Sequence, residues 1–243
     1  MIPKIVHICW LSGDPYPPKI QYCIDSWKKN LPDYEIRLWD LNRFDINSSI
    51  WCKEALSRKK YAFVADYIRN YALFHDGGIY LDSDVEVLRP FDELLRLPYF
   101  IGREMSGALE PAVMGAEPGF TLHKEMLQYY ENRHFLNCDG SMDMRTLPEI
   151  MEDVVAEHYE INNIQSIEDF SNDSSILNVF PSNYFSPKRN DNFKIEKTSQ
   201  TFSIHHFNAS WFPKRKKYFT ILSKLLGFKT AAFISRIMHK IIP

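Results

Sequence analysis

Two carboxylates stand one residue apart at Asp82 and Asp84, directly after the short apolar segment 79–81. Two like charges at the end of a buried strand raise the free energy of the fold unless something offsets them. A divalent cation offsets them well, because hard cations prefer oxygen ligands. The tripeptide Asp82-Ser83-Asp84 therefore indicates a metal site whose metal binds a phosphate. The alternative is a solvated turn, because Asp-x-Asp is a common pattern.

A second polar pair, Asp66 and Arg69, lies three residues apart in a segment that predicts a helix. This spacing places both side chains on one helix face. Asp66 could then accept hydrogen bonds from sugar hydroxyls while Arg69 reaches a phosphate or sugar oxygen. The alternative is an exposed ion pair that contributes little to stability. Trp10, at the end of the first apolar segment, could stack on a nucleobase or simply belong to the core.

Two adjacent histidines, His205 and His206, end a late segment that alternates in the manner of a strand. A histidine at that position could complete a carboxylate metal site, because imidazole is an acceptable ligand for ions such as manganese. The sequence does not distinguish between the two histidines. His7, which lies inside the first apolar segment, is expected to be structural.

These residues must be positioned by alternating strands and helices, which predict an α/β fold. Strands are predicted over 4–10, 34–39, 79–81, 85–88, 100–102, 111–115 and 201–205, with further strands in the polar stretch 159–200. Helices are predicted over 18–31, 50–76 (as one or two), 121–135 and 147–158. Ligands of such sheets bind at the carboxyl ends of the strands, where Trp10 and the two aspartates fall.

The composition is that of a globular protein, with 243 residues of which 45% are apolar and 25% charged. The net charge of −2 divides unevenly, since residues 214–243 hold eight Lys or Arg and no acidic residue. The remaining body carries a net charge of about −10 and is not expected to bind nucleic acid along a broad surface. The cysteine spacing, the N-terminus and the lack of an 18-residue apolar run predict a cytosolic protein with reduced thiols.

The basic segment 214–243 has apolar residues at helical spacing and predicts an amphipathic helix with a break near Gly227. Such a helix can lie on an anionic cytoplasmic leaflet, at about 1 kcal/mol per basic residue near the surface. The alternative is a helix packed on the acidic body. We expect the first arrangement, and therefore a protein that is peripheral at the inner face of a membrane.

Taken in chain order, the segments 3–10, 26–27, 66–69, 77–84 and 205–211 resemble the family 32 glycosyltransferases, whose sugar-binding region carries a DXD motif. They also resemble capsular and lipopolysaccharide glycosyltransferases and the catalytic domain of the large glucosylating toxins. The resemblance spans residues 1 to about 211 and is densest over 1–40 and 60–92. It implies a GT-A fold over 1–213, with a Rossmann-like mixed sheet flanked by helices and the basic helical tail appended.

The resemblance also implies a site that holds Mn²⁺ or Mg²⁺ and a nucleotide-sugar donor. The implied metal ligands are Asp82, Asp84 and His205, and the implied catalytic residues are Asp82, Asp84 and Arg69. The implied donor-binding residues are Trp10, Asp66, Arg69, Tyr80, Asp82, Ser83, Ser210 and Trp211. The chain departs from the family pattern at 110–116 and at 146–148, both toward the acceptor half. Four acidic residues that could serve as a further catalytic carboxylate are not distinguished by sequence: Glu86, Glu104, Glu110 and Asp143.

The function so implied is transfer of a hexosyl or N-acetylhexosaminyl group, with retention, from a UDP-sugar to a glycan or lipid-linked glycan. Capsule, lipopolysaccharide or exopolysaccharide synthesis would be the setting. Two alternatives stay open: a toxin-like enzyme that glycosylates a protein, and a non-catalytic nucleotide-sugar-binding domain. A nucleotidyl- or phosphotransferase is less well supported, because the chain has no P-loop glycine–lysine motif.

Overall fold

The computed structural model describes residues 1–189 and 194–207. The predicted contacts of Ser210 and Trp211 and the predicted tail over 214–243 lie outside these residues. Within the two described ranges, no helix is both long enough and apolar enough to cross a membrane.

Strands and helices alternate along the described chain, as the sequence predicts. The strands are β1 (Ile5–Cys9), β2 (Glu35–Trp39), β3 (Gly78–Leu81), β4 (Val85–Val87), β5 (Tyr99–Arg103), β6 (Leu109–Ala116), β7 (Glu160–Asn163), β8 (Ile176–Val179) and β9 (Ser203–His205). The helices are α1 (Pro18–Asn30), α2 (Ile50–Ser57), α3 (Tyr61–Asp76), α4 (Thr121–Tyr130), α5 (Leu147–His158) and α6 (Ser182–Phe185), with short 3₁₀ turns at Ile46–Ser48 and Ile167–Asp169.

A five-stranded mixed sheet in the order β2-β1-β3-β6-β5 lies at the centre. Strands β2, β1 and β3 are parallel, whereas β6 runs antiparallel to both β3 and β5. The predicted parallel βαβ unit and the predicted mixed sheet are both confirmed. Because β1 and β3 are parallel, their carboxyl ends reach the same edge of the sheet, and Trp10 and Asp82 follow directly there.

Helices cover both faces of this sheet. Helices α2 to α5 pack with Tyr80 of β3 in one apolar core, whereas α1 packs with Ile79 and Leu81 in the other. The alternation of side chains along a strand places these neighbouring residues on opposite faces. Strand β3 is fully buried as a result. The loop that follows it and holds the two carboxylates is therefore anchored at its first residue.

The turn from α3 into β3 depends on the glycine pair. Gly77 and Gly78 have φ angles of +62° and +103°, which other residues rarely adopt. A Cβ on Gly78 would also lie 2.7 Å from the carbonyl oxygen of Ile5. His7 secures the same turn: its Nε2 lies 2.6 Å from the Gly77 oxygen and its Nδ1 accepts from Trp39 Nε1 at 2.9 Å. The expectation of a structural His7 is confirmed.

A second, two-stranded sheet joins distant parts of the chain. Strand β4 pairs antiparallel with β9, and Val85 lies opposite His205. The pairing carries His205 to the loop that holds the two aspartates, although about 120 residues separate them in sequence. Within the described residues the stretch 159–200 supplies β7, β8 and α6, in agreement with the expectation of further strands there.

Two predicted features are changed by the structure. The helix expected over 121–135 ends at Tyr130, because Glu131 leaves the helical region and Asn132 adopts a positive φ of 56°. The departure from the family pattern at 146–148 begins α5, where the Glu149 carboxylate accepts from both the backbone N–H and the hydroxyl of Thr146 at 2.8 Å. That arrangement is a capping box and gives Thr146 a structural role.

Candidate functional site

The loop between β3 and β4 presents the two aspartates. The Asp82 N–H donates to the Ala112 oxygen at 2.9 Å, and the Val85 N–H donates back to the Asp82 oxygen at 2.9 Å. Tyr80 adds a side-chain contact, its hydroxyl donating to Asp82 Oδ1 at 3.0 Å. The loop is therefore fixed by β6 on one side and by its own turn on the other.

Helix α3 contributes Asp66 and Arg69 on a buried face. Arg69 Nη2 lies 2.9 Å from Asp66 Oδ1 and 3.2 Å from Asp82 Oδ1, so one guanidinium contacts both carboxylates. Nη1 donates to the Pro111 oxygen at 2.7 Å, and the guanidinium carbon lies 4.5 Å from the centre of the Tyr80 ring. The Arg69 side chain is only 5% exposed, so the alternative of a surface ion pair is wrong.

Burial shifts the acid–base behaviour of these carboxylates. It raises the pKa of Asp66 to about 7, even though the neighbouring Arg69 favours the ionised form. Burial also raises the pKa of Asp82, against the opposing charges of Arg69 and His205. A cation bound beside these carboxylates would offset the cost of ionising them in a buried place.

His205 completes a group of three possible metal ligands. One ligand atom each from Asp82, Asp84 and His205 lies within 4.8 Å of the others. His205 Nε2 is 3.4 Å from Asp84 Oδ1, and its Nδ1 is 3.2 Å from Glu110 Oε2. Burial disfavours the imidazolium, but the Glu110 and Asp84 carboxylates outweigh it and hold the pKa of His205 well above its usual value. This position therefore stabilises positive charge.

The structure distinguishes the two histidines. His206 Nε2 lies 2.8 Å from Glu86 Oε2, and the His206 backbone N–H donates to the Asp84 oxygen at 3.1 Å. Glu86 also accepts from the Tyr22 hydroxyl at 2.6 Å. His206 thus fixes the backbone around Asp84, whereas His205 directs its ring toward the two aspartates.

The donor set fits a divalent cation of the manganese or magnesium type. Two carboxylates and an imidazole are hard to borderline ligands, and the imidazole favours manganese over magnesium. Asp84 is 8% exposed and His205 is partly buried, so a bound cation would retain few contacts with bulk water. The predicted ligands Asp82, Asp84 and His205 are brought together, and their binding of metal stays a prediction.

Two further predicted donor residues, Trp10 and Ser83, follow strands β1 and β3 at the same edge of the sheet. Trp10 is half-buried, and its Nε1 donates to the Asp14 oxygen at 2.7 Å while the Tyr16 ring meets it edge-on at 4.9 Å. Ser83 is also half-buried between the two aspartates. Stacking of Trp10 on a base and contact of Ser83 with the donor stay predictions. The predicted roles of Ser210 and Trp211 fall outside the described residues.

Glu110 is the residue that sequence reasoning left unassigned and that the structure places against the site. It lies on β6, is 0% exposed, and contacts His205. Burial would raise the pKa of Glu110, but His205, Ser186 and the Ala112 N–H outweigh it and hold that pKa below its usual value. The available signal was one acidic residue inside the otherwise apolar segment 109–116.

Comparison with known proteins agrees with this geometry. Residues 17–101 match the family described as the glycosyltransferase sugar-binding region containing a DXD motif. The matched range includes Asp66, Arg69, Asp82 and Asp84. It ends before β6 and β9, which supply the Glu110 and His205 side of the site.

Two curated fungal relatives are similar over about half of the chain. Inositol phosphoceramide mannosyltransferase 3 of Schizosaccharomyces pombe is 33% identical over 139 residues, which are 54% of this chain and 37% of that protein. Mannosyl phosphorylinositol ceramide synthase SUR1 of Saccharomyces cerevisiae is 30% identical over 146 residues, 56% of this chain and 37% of that protein. The chain therefore matches well under half the length of these relatives.

Solved structures of glycosyltransferases are also similar in outline. The PaToxG glycosyltransferase superposes with a TM-score of 0.46 at 16% identity, covering 64% of this chain and 69% of that one. An active-site mutant of LgtC superposes with a TM-score of 0.41 at 11% identity, covering 84% and 87%. The sequence matches identify the motif: this chain carries the sugar-binding region of the DXD glycosyltransferases, with Asp82-Ser83-Asp84 as its DXD motif.

Proposed function

We propose that this protein is a metal-dependent glycosyltransferase of the GT-A fold that moves a sugar from a nucleotide-sugar to an acceptor. One observation carries the proposal. Asp82 and Asp84, which lie in the loop between β3 and β4 inside the matched DXD sugar-binding region, meet His205 of β9 within 4.8 Å. The GT-A fold is supported by three parallel strands followed by antiparallel β6, with the motif at the end of the third.

The chemistry follows from the charges. When a sugar–diphosphate bond breaks, negative charge develops on the leaving phosphate. Asp82, Asp84 and His205 would hold a divalent cation that neutralises this charge as a Lewis acid. Arg69 fixes the Asp82 carboxylate, and Asp66 offers a buried carboxyl group to donor hydroxyls. Trp10, at the neighbouring strand end, would stack on the nucleobase.

Retention, which the family resemblance implies, would proceed here without a covalent intermediate on Glu86 or Glu110. Glu110 is fully buried and accepts from Ala112 and Ser186. Glu86 accepts from Tyr22 and pairs with His206. Neither is presented as a nucleophile toward an anomeric carbon, so neither is assigned a covalent role in this proposal.

For the donor and acceptor, we propose a hexosyl donor and a glycan on a lipid. The names of the two fungal relatives describe mannosyl transfer to a phosphoinositol ceramide, which supports a lipid-linked acceptor. The eight basic residues of 214–243 suit an anionic membrane surface. A role in surface polysaccharide synthesis at the inner face of the membrane, with UDP-sugar as donor, is our proposal for the pathway.

A donor hydrolysis panel tests the activity. UDP- and GDP-linked glucose, galactose, mannose and N-acetylglucosamine would be incubated with the protein and Mn²⁺, and the nucleoside diphosphate released would be measured. We expect turnover of one donor that is lost on chelation and in the Asp84→Asn variant. Asp25→Asn, an exposed change on α1, is the control and should retain turnover. Equal turnover in the Asp84→Asn variant would refute the metal assignment, and no turnover of any donor would favour a binding domain.

A further inference from the structure

Glu110 is a buried carboxylate without access to solvent, set at an irregularity of the central sheet. The pairing of β5 with β6 shifts register between Ile101 and Gly102, so that Ile101 lies opposite Met114 but Gly102 lies opposite Glu110. Residues 111–113 of β6 therefore have no partner on β5. Bulges of this kind change the direction of the side chains near them. The Pro111 carbonyl freed in this way accepts from Arg69 at 2.7 Å.

Donors from three parts of the chain surround the Glu110 carboxylate. Oε1 accepts from the Ala112 N–H at 2.9 Å. Oε2 accepts from the Ser186 hydroxyl, just after α6, and lies 3.2 Å from His205 Nδ1 on β9. A buried charge is tolerated only when it is paired and hydrogen-bonded. The Glu110 carboxylate is paired with His205 and accepts hydrogen bonds from Ala112 and Ser186. Its oxygens are engaged, so Glu110 is placed to act on His205 rather than on a ligand.

The two nitrogens of the His205 ring face different carboxylates. Nδ1 faces Glu110, whereas Nε2 faces Asp84 at 3.4 Å. When a cation displaces one proton from the charged ring, a carboxylate that accepts from Nδ1 keeps the remaining proton there and leaves the Nε2 lone pair for the metal. Such a partner also makes imidazole a stronger ligand.

We propose that Glu110 is a positioning residue that fixes the tautomer and the orientation of His205, so that Nε2 is presented to a divalent cation shared with Asp82 and Asp84. This inference rests on the proposed metal site. It gives a function to the acidic residue at the point where the chain departs from the family pattern. Ser186 contributes to this positioning, because its hydroxyl donates to Oε2 of Glu110, the oxygen that contacts His205.

Manganese binding measures this role without any donor or turnover. The electron paramagnetic resonance signal of free Mn²⁺ would be followed as protein is added, for the full chain and its Glu110→Gln variant. Removing a partner of a metal-binding histidine typically weakens metal affinity by about 10–100-fold, and we expect a loss in that range. Glu131→Gln, an exposed change after α4, is the control and should leave Mn²⁺ affinity unchanged.

A double-variant cycle separates positioning from general damage to the fold. If Glu110 acts through His205, Glu110→Gln has no further effect on Mn²⁺ affinity once His205→Gln is present. An equal loss in both backgrounds would overturn the proposal, because a purely structural defect does not depend on His205. If Glu110→Gln does not fold, Ser186→Ala takes its place in the cycle, with a smaller loss of the same pattern expected.

The nitrogen NMR shifts of His205 supply a second readout. In ¹⁵N-histidine-labelled protein saturated with Mg²⁺, we expect a neutral His205 ring with its proton on Nδ1, and a neutral ring with its proton on Nε2 would overturn the assignment. The Asp84→Asn variant separates the proposal of a metal site from the proposed role of Glu110. If neither Asp84→Asn nor Glu110→Gln alters Mn²⁺ affinity, the metal site is wrong and both proposals fail. If only Asp84→Asn weakens it, the metal site stands and the role of Glu110 is refuted.

Discussion

Replacing Arg69 by methionine should destabilise the fold severely. Its guanidinium contacts Asp66 and Asp82, and its side chain is only 5% exposed. Removing one partner of a buried ion pair costs about 3–5 kcal/mol, because the other partner stays buried without compensation. Arg69→Met also leaves the Pro111 carbonyl without its donor, which adds about 1–3 kcal/mol. We expect a total loss of about 4 kcal/mol or more in the free energy of unfolding.

Urea unfolding followed by tryptophan fluorescence, in metal-free buffer at pH 8, would measure this loss. Because much of it comes from the unpaired Asp66 carboxylate, the double variant with Asp66→Asn should recover a substantial part. Arg96→Met is the matched control. Arg96 lies 4.0 Å from Glu168 with side chains 62% and 76% exposed, so its loss should cost less than about 1 kcal/mol.

Two results would contradict a large stabilising role for the buried ion pairs of Arg69. The first is a loss no larger than that of Arg96→Met, which would mean that the buried pair is no stronger than a surface pair. The second is an Arg69→Met defect that Asp66→Asn does not relieve. In that case the cost would come from packing against Tyr80 rather than from the carboxylates.

Three further predictions concern elements that support the site. Burial lowers the pKa of His123 to about 3. Since the unfolded chain then binds the extra proton below pH 6.5, the free energy of unfolding should fall by about 2 kcal/mol as pH drops from 6.5 to 4.5. Urea titrations should show a shallower fall for His123→Gln, and an unchanged fall would contradict the assignment. Trp27→Phe removes the Nε1 donor that lies 2.6 Å from the Val85 oxygen and should lower the free energy of unfolding by about 1–3 kcal/mol; an unchanged urea midpoint would argue against that hydrogen bond. Gly78→Ala places a Cβ 2.7 Å from a backbone oxygen at a positive φ and should cost at least about 1–3 kcal/mol in the same assay; a neutral effect would mean that the α3–β3 turn can relax.

Local patterns account for what could be predicted from sequence. The βαβ unit, α5 and the strand before Asp82 follow from apolar periodicity and from the glycine pair, which act over a few residues. The DXD motif was recognisable because its two carboxylates and the buried strand are contiguous. The helix over 121–135 was predicted too long because Asn132 accepts a left-handed conformation that periodicity does not reveal.

The other side of the site depends on contacts between distant residues. His205 reaches Asp84 through the pairing of β4 with β9, and Glu110 reaches His205 through a register shift between β5 and β6. The hydrophobic pattern of a strand indicates its buried face, but it does not show which distant strand will pair with it or where a register shift will fall. For this reason Glu110 could not be separated from the other acidic candidates, whereas Asp82 and Asp84 could be named.

The most direct test of a metal-and-diphosphate site is whether a nucleoside diphosphate binds only together with the metal. Calorimetric titration of UDP and GDP into the full chain would be carried out with Mn²⁺ and with a chelator, and repeated for Asp84→Asn. We expect binding that requires Mn²⁺ in the unmodified protein and is lost in the variant. Binding of equal affinity with and without Mn²⁺, or in both proteins, would contradict a metal-and-diphosphate site at Asp82, Asp84 and His205.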